Sequence, residues 1–234
     1  MEERQHQGQT LKYLTLEPDC YDAGRPYPVV ILLHGFGASM GDLTRLCSAV
    51  DREAYVYVCP SAPTPIEIGA GLVGYSWTPS GADVTPEDGN PAEEMLSTLF
   101  EEVMDLYPGK PGNMVLGGFS QGGMMAYRCG LTRPDVFRGL VALSSRLSDP
   151  EVLRPRLPSA RDQAIFIAHG SDDTMIPVED SRESVRFLKA QGYAPQYKEY
   201  PMGHEIIQEV LDDLVPWMRE VLPPARWEPE GVAG

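Results

Sequence analysis

Short β-branched, apolar runs alternate along this chain with longer stretches in which apolar residues recur every three or four positions. That change of period, repeated several times, marks strands joined by helices in a mostly parallel sheet with helices on both faces. Strands are expected at 27–33, 54–59, 113–119, 137–143 and 164–168. An alternating segment at 11–17 reads as an early edge strand, and 196–200 as a last, more exposed one. The run Val29-Val30-Ile31-Leu32-Leu33 is apolar at every position, as a strand covered on both faces must be. Helical patterns fall at 41–51, 91–107, 121–131, 177–191 and 204–222. Pro91 followed by Glu93 and Glu94 suits a helix start, because acidic side chains oppose the positive end of the helix dipole.

Two segments break this rhythm. Residues 60–91 hold six prolines, five glycines and no Lys or Arg, so a long irregular loop is expected there, lining or covering a site. Tyr75 and Trp77 within it are the candidate pocket walls. Residues 146–162 carry four arginines and three prolines and read as a solvated connection. The remainder forms one domain over 1–222, with 223–234 as a poorly anchored tail.

Charge narrows the choice of partners. With 19 basic and 34 acidic side chains the net charge is −15, which repels phosphates and argues against nucleic acid and anionic membranes. No apolar run approaches the roughly 18 residues of a membrane span, and the start of the chain lacks the apolar stretch of a signal peptide. Cys20, Cys47, Cys59 and Cys129 form no C-x-x-C, so four reduced thiols in a cytoplasmic protein, a monomer or homodimer, are expected. No His, Cys and carboxylate cluster has metal-ligand spacing; neither metal nor cofactor is expected.

The chemistry centres on Gly118-Phe119-Ser120-Gln121-Gly122, a G-x-S-x-G motif. It lies between the strand pattern at 114–116 and the helical pattern that follows, the strand–turn–helix setting of a nucleophile elbow. Glycines on either side remove side chains that would collide across such a turn. A nucleotide-binding turn is the alternative, but neither G-x-x-x-x-G-K-[ST] nor G-x-G-x-x-G fits here. Of four histidines, His204 follows the last strand in Pro201-Met202-Gly203-His204 and stands where a base for Ser120 is needed. His6 belongs to a polar, solvated terminus, and His169 reads as a structural hydrogen-bonding residue. The acid belongs after the strand at 164–168, where Asp172 and Asp173 are adjacent and the residues alone leave the choice open. In His34-Gly35-Phe36-Gly37-Ala38, after the first buried strand, the Phe36 N–H is an oxyanion donor to pair with that of Gln121.

Together these motifs resemble the phospholipase/carboxylesterase family of α/β-hydrolases, which includes the acyl-protein thioesterases. The resemblance runs from about 27 to 222 and rests on Leu33-His34-Gly35-Phe36-Gly37, Pro60-Ser61-Ala62-Pro63, Ser76-Trp77, the segment from Gly117 to Gly123, His169-Gly170 with Asp173, and Met202-Gly203-His204. It implies a single-domain α/β-hydrolase fold without a large cap, and it places the acid on Asp173, four residues after the histidine of the His-Gly pair. The implied activity is that of a cofactor-free serine esterase on small ester substrates. Ser120, Asp173 and His204 would be catalytic, and Phe36 and Gln121 would hold the oxyanion. Long-chain thioesters or lysophospholipids are the alternative substrates, and a non-catalytic receptor on the same fold is the rival from another class. Departures lie near the acyl pocket: Phe36 where Leu is common, Ala38 where an acidic residue is common, and Thr78-Pro79 after Trp77.

Overall fold

The computed structural model describes residues 1–79, 90–109 and 112–225. An eight-stranded sheet runs through it in the order β1 (Glu2–Gln7), β2 (Lys12–Glu17), β4 (Val56–Pro60), β3 (Val29–Leu33), β7 (Met114–Phe119), β8 (Phe137–Leu143), β9 (Ala164–Gly170), β10 (Gln196–Tyr200). β1, β2 and β4 pair antiparallel, and every pairing from β4 to β10 is parallel.

Alternate residues of each central strand serve opposite faces, so the sheet separates two cores. Val29, Ile31 and Leu33 pack on one side with α2 (Pro91–Leu106), α3 (Gln121–Gly130) and α5 (Val178–Ala190). Val30 and Leu32 pack on the other with α1 (Thr44–Val50) and α6 (Gln208–Val221). Helix α2 shows the logic. Leu96, Leu99, Phe100 and Val103 share a helical face and are buried, while Asn90 caps the start by accepting from the Ala92 N–H at 3.0 Å.

Several expectations change here. The segment 11–17 is not an edge, because β1 covers it; Glu2–Gln7 is polar on both faces and carries no apolar period to betray a strand. His6 is accordingly not free in solvent but bonds Thr15 Oγ1 at 2.9 Å and stacks on Tyr13. The segment 60–79 contains a hairpin, β5 (Thr64–Glu67) and β6 (Val73–Ser76), rather than an irregular loop. Residues 80–89 of the expected loop lie outside the described residues. The helix expected from 204 begins at Gln208, and the one from 41 at Thr44. Between β8 and β9 stand only α4 (Pro150–Leu153) and a three-residue 3-10 turn. Of the expected tail, 223–225 is anchored, the Ala225 N–H reaching Ala54 O at 3.3 Å; 226–234 lies outside the described residues.

The two-face packing of α2 has a direct test. Phe100 is fully buried and meets Phe137 edge-on at 4.9 Å, so Phe100→Ala should cost about 3–5 kcal/mol in urea unfolding. Leu106→Ala, at an exposed position of the same helix, should stay within about 0.5 kcal/mol.

Candidate active site

The turn from β7 into α3 places Ser120 at φ 53°, ψ −119°, a left-handed backbone that a residue with a Cβ adopts only when its surroundings impose it. Two close approaches impose it. A Cβ on Gly118 would lie 2.2 Å from the Gly122 carbonyl carbon, and one on Gly122 would lie 2.0 Å from Leu33 O. The Ser120 N–H donates to Leu143 O at 2.9 Å, tying the turn to the neighbouring strand. Gln121 opens α3, where the first amides have no acceptor within the helix.

His204 lies between β10 and α6, with its Nδ1 2.7 Å from Asp173 Oδ2. Asp173 follows β9, and its other oxygen accepts the N–H groups of Met175 and Ile176, both at 2.9 Å. Burial pushes the Asp173 carboxyl upward, but the bonds from His204, Ile176 and Met175 together outweigh it and hold the group below the usual carboxylate range. An ionised Asp173 accepts a proton-bearing Nδ1, which leaves His204 Nε2 as the basic nitrogen. Asp172 is exposed, and its N–H bonds Met202 O at 3.1 Å, stitching the acid loop to the histidine loop. The Phe119 ring packs on His204 with centroids 4.8 Å apart, bringing the imidazole beside the residue next to Ser120.

The His34–Ala38 turn closes the site from the β3 side. A Cβ on Gly35 would stand 3.4 Å from Ser120 Cβ, so this backbone passes directly over the serine. Strand β6 holds the turn through Gly37 N–H to Tyr75 O and Tyr75 N–H to Ala38 O, both 3.0 Å. The approach is so close that a Cβ on Gly74 would lie 2.1 Å from Gly37 O.

The expected pocket residues divide. Tyr75 is half-buried and lines a cavity of about 330 Å³ beside the turn, together with Met40, Ser61, Pro63 and Met95. Trp77 is not a pocket wall: it is completely buried, so it presents no surface to a substrate. It acts as a brace instead. Its indole N–H donates to His34 O at 2.9 Å, and its backbone N–H donates to Gln121 Oε1 at 3.0 Å. Gln121 Nε2 donates in turn to Thr78 Oγ1 at 2.8 Å and Ser76 Oγ at 3.0 Å. The Phe36 ring, by contrast, is 62% exposed.

Three side chains support the site: His169, the structural hydrogen-bonding residue expected, and His34 and Ser145, which sequence reasoning missed. His34 accepts the Ala62 N–H at Nε2 (3.0 Å) and donates from Nδ1 to Gly35 O (2.7 Å), while burial holds its imidazole below the usual value. His169, completely buried, reaches Ile176 O at 2.9 Å and Asp173 Oδ2 at 3.4 Å. Ser145 donates to Ser120 O at 2.7 Å. His34 and His169 each stand in a His-Gly pair, and His169 meets its partners on the loop that follows β9; Ser145 meets Ser120 only through the adjacency of β7 and β8. Among the described residues no group of three or more His, Cys, Asp and Glu is placed to hold a metal ion.

Comparison with known proteins agrees with this architecture. Residues 22–222 match the family described as Phospholipase/Carboxylesterase. The chain is 31% identical over 216 residues to acyl-protein thioesterase 1 of Gibberella zeae, covering 83% of this chain and 91% of that one. The crystal structure of esterase PE8 superposes with a TM-score of 0.74 at 25% identity, covering 89% and 97% of the two chains. The Bacillus cereus carboxylesterase shares the fold at a TM-score of 0.71 and 20% identity, over 91% and 95%. The chain therefore belongs to the phospholipase/carboxylesterase family of α/β-hydrolases.

Proposed function

We propose that this protein is a serine hydrolase that cleaves short- to medium-chain carboxylic esters through an acyl-enzyme. The observation that carries the reading is the His204–Asp173 pair at 2.7 Å, packed through Phe119 against a serine held in a strained elbow. In this mechanism Ser120 Oγ attacks the ester carbonyl as His204 Nε2 takes its proton. Asp173 keeps Nδ1 protonated and stabilises the imidazolium that forms. The N–H groups of Phe36 and Gln121 receive the oxyanion, His204 returns the proton to the departing alcohol, and water repeats the cycle to release the acid.

Acyl length follows from what stands over the site. The β8–β9 connection, with its four-residue α4, offers too little apolar surface to roof a long chain. Each buried CH₂ adds about 0.8 kcal/mol, so preference should climb with chain length until the groove ends. A second reading, long-chain acyl esters or thioesters, is favoured by the exposed apolar residues Phe36, Ile68, Leu72, Val73 and Met175 on the β5–β6 hairpin and the loops after β3 and β9. A kcat/KM series from C2 to C16, run on matched oxygen esters and thioesters, separates the two. A maximum between C2 and C8 on oxygen esters is expected; one at C12 or beyond transfers the assignment to the second reading.

Ser120→Ala should lower kcat by 10⁴ or more with the fold intact, and retention of more than about a hundredth of wild-type kcat removes the assignment. Asp173→Asn should cripple kcat, whereas Asp172→Asn, at an exposed side chain, should barely change it.

The pH response of stability should report the Asp173 bonds. Asp173 is held below the usual carboxylate value of about 4, so its stabilising bonds persist at all pH above that and are lost only as pH falls through its lower folded value. Circular dichroism followed against pH should therefore show the acid unfolding to which Asp173 contributes only below the usual carboxylate range, and Asp173→Asn should remove that contribution.

A further inference from the structure

The two proposed oxyanion donors are backbone amides, and a backbone amide is aimed only by its peptide plane. In a trans peptide the N–H of one residue points opposite to the C=O of the residue before it. Whatever holds the Gly35 carbonyl thus sets the direction of the Phe36 N–H, and whatever holds the Ser120 carbonyl sets that of Gln121.

Each carbonyl has a dedicated side-chain donor. Gly35 O receives His34 Nδ1–H at 2.7 Å, well inside the 3.3 Å bond it receives from the Ala38 N–H. His34 is itself fixed at both ends. The Ala62 N–H occupies Nε2, which leaves the ring proton on Nδ1, and the Trp77 indole holds the His34 carbonyl. On the other side, Ser120 O receives Ser145 Oγ–H at 2.7 Å, shorter than its helical bonds from Gly123 (3.0 Å) and Met124 (3.2 Å). Ser145 is completely buried and packs against Gly123, where an added Cβ would lie 2.6 Å from Ser145 Oγ. A bond accepted at the carbonyl also polarises the same peptide unit and strengthens its N–H as a donor.

We propose that His34 and Ser145 are positioning residues for the oxyanion hole, each aiming and polarising one donor amide through the carbonyl of that donor's own peptide unit. This rests on the reading of Ser120 as nucleophile with the Phe36 and Gln121 amides as donors. Neither side chain touches the substrate, so their effect belongs to the tetrahedral transition state rather than to substrate binding.

The test compares Ser145→Ala, Ser145→Cys, His34→Asn and His34→Gln with the wild type. Active sites are titrated to completion with a fluorophosphonate, so that kcat is expressed per competent serine. Affinity is then measured for a trifluoromethyl ketone, whose hemiketal oxygen occupies the oxyanion position. Ser145→Ala should lose about tenfold in kcat, less than the 10² or more that follows removal of a whole donor. Its KM should stay within twofold, and the ketone should weaken by the same factor as kcat. Ser145→Cys, with a weaker donor at the same place, should fall between. His34→Asn places an amide N–H where Nδ1–H stood and should keep most of kcat. His34→Gln reaches only the Nε2 position and should lose about tenfold. An unchanged kcat per titrated site in Ser145→Ala, or a loss confined to melting temperature or titrated fraction, overturns the proposal. Equal kcat in the two His34 variants overturns the His34 half; should either fail to fold, the two Ser145 variants decide. A wild type that neither turns over nor titrates removes the serine reading and this proposal with it.

Discussion

Where β7 turns into α3, the backbones of Gly118, Gly122 and Leu33 pass at distances that leave no room for a Cβ on either glycine. This crossing forces Ser120 into its positive φ, lifts it off the end of the sheet, and brings the His34–Ala38 turn against it. The strain of the elbow is sustained because both neighbours of β7 are engaged. Leu143 of β8 receives the Ser120 N–H, and β3 lies beneath Gly122. The remaining parts of the site are arranged around a serine whose position the backbone has already set.

Around that point the protein uses two kinds of reinforcement. On one side Asp173 gathers the His204 ring and two backbone amides, and His169 buttresses it from the core. On the other side the β5–β6 hairpin delivers Ser76, Trp77 and Thr78 to the Gln121 amide group and the His34 carbonyl. A single buried residue, Trp77, therefore bridges the two segments that carry the proposed oxyanion donors, with its indole on His34 and its backbone N–H on Gln121. The hairpin's supports are buried, uncharged hydrogen bonds, strong where solvent is excluded and costly to leave half-made. The same hairpin carries the exposed Ile68, Leu72 and Val73, so the element that braces the site also bears exposed apolar surface.

Net charge and local surface pull in different directions in this molecule. A charge of −15 repels polyanions, while the exposed apolar side chains near the site suit uncharged groups. The proposed substrate, a neutral ester with a modest acyl chain, is chemistry that satisfies both.

The amino-acid sequence by itself determined the parallel core and the elbow, because both are written in local periods. All-apolar strands mark burial on both faces, and a serine between glycines at a strand–helix junction has few other uses. Helix α2 was legible for the same reason, down to its proline start and acidic first turn. What only tertiary structure decided are the features that depend on partners distant in sequence. Strand β1 has no apolar face and exists because β2 supplies a ladder for Glu2–Gln7. The residues alone could not choose between Asp172 and Asp173; the family resemblance did, and the fold shows one carboxylate turned inward to His204 and the other outward. Trp77 looked like a pocket aromatic because composition cannot tell a ring that faces a groove from one that braces a turn. Ser145 follows Ser144 as a plain pair of polar residues after a strand, and only the adjacency of β7 and β8 brings its hydroxyl to the Ser120 carbonyl. Periodicity records which face of an element is buried; which hydrogen-bond partner waits there is settled by the order of strands in the sheet.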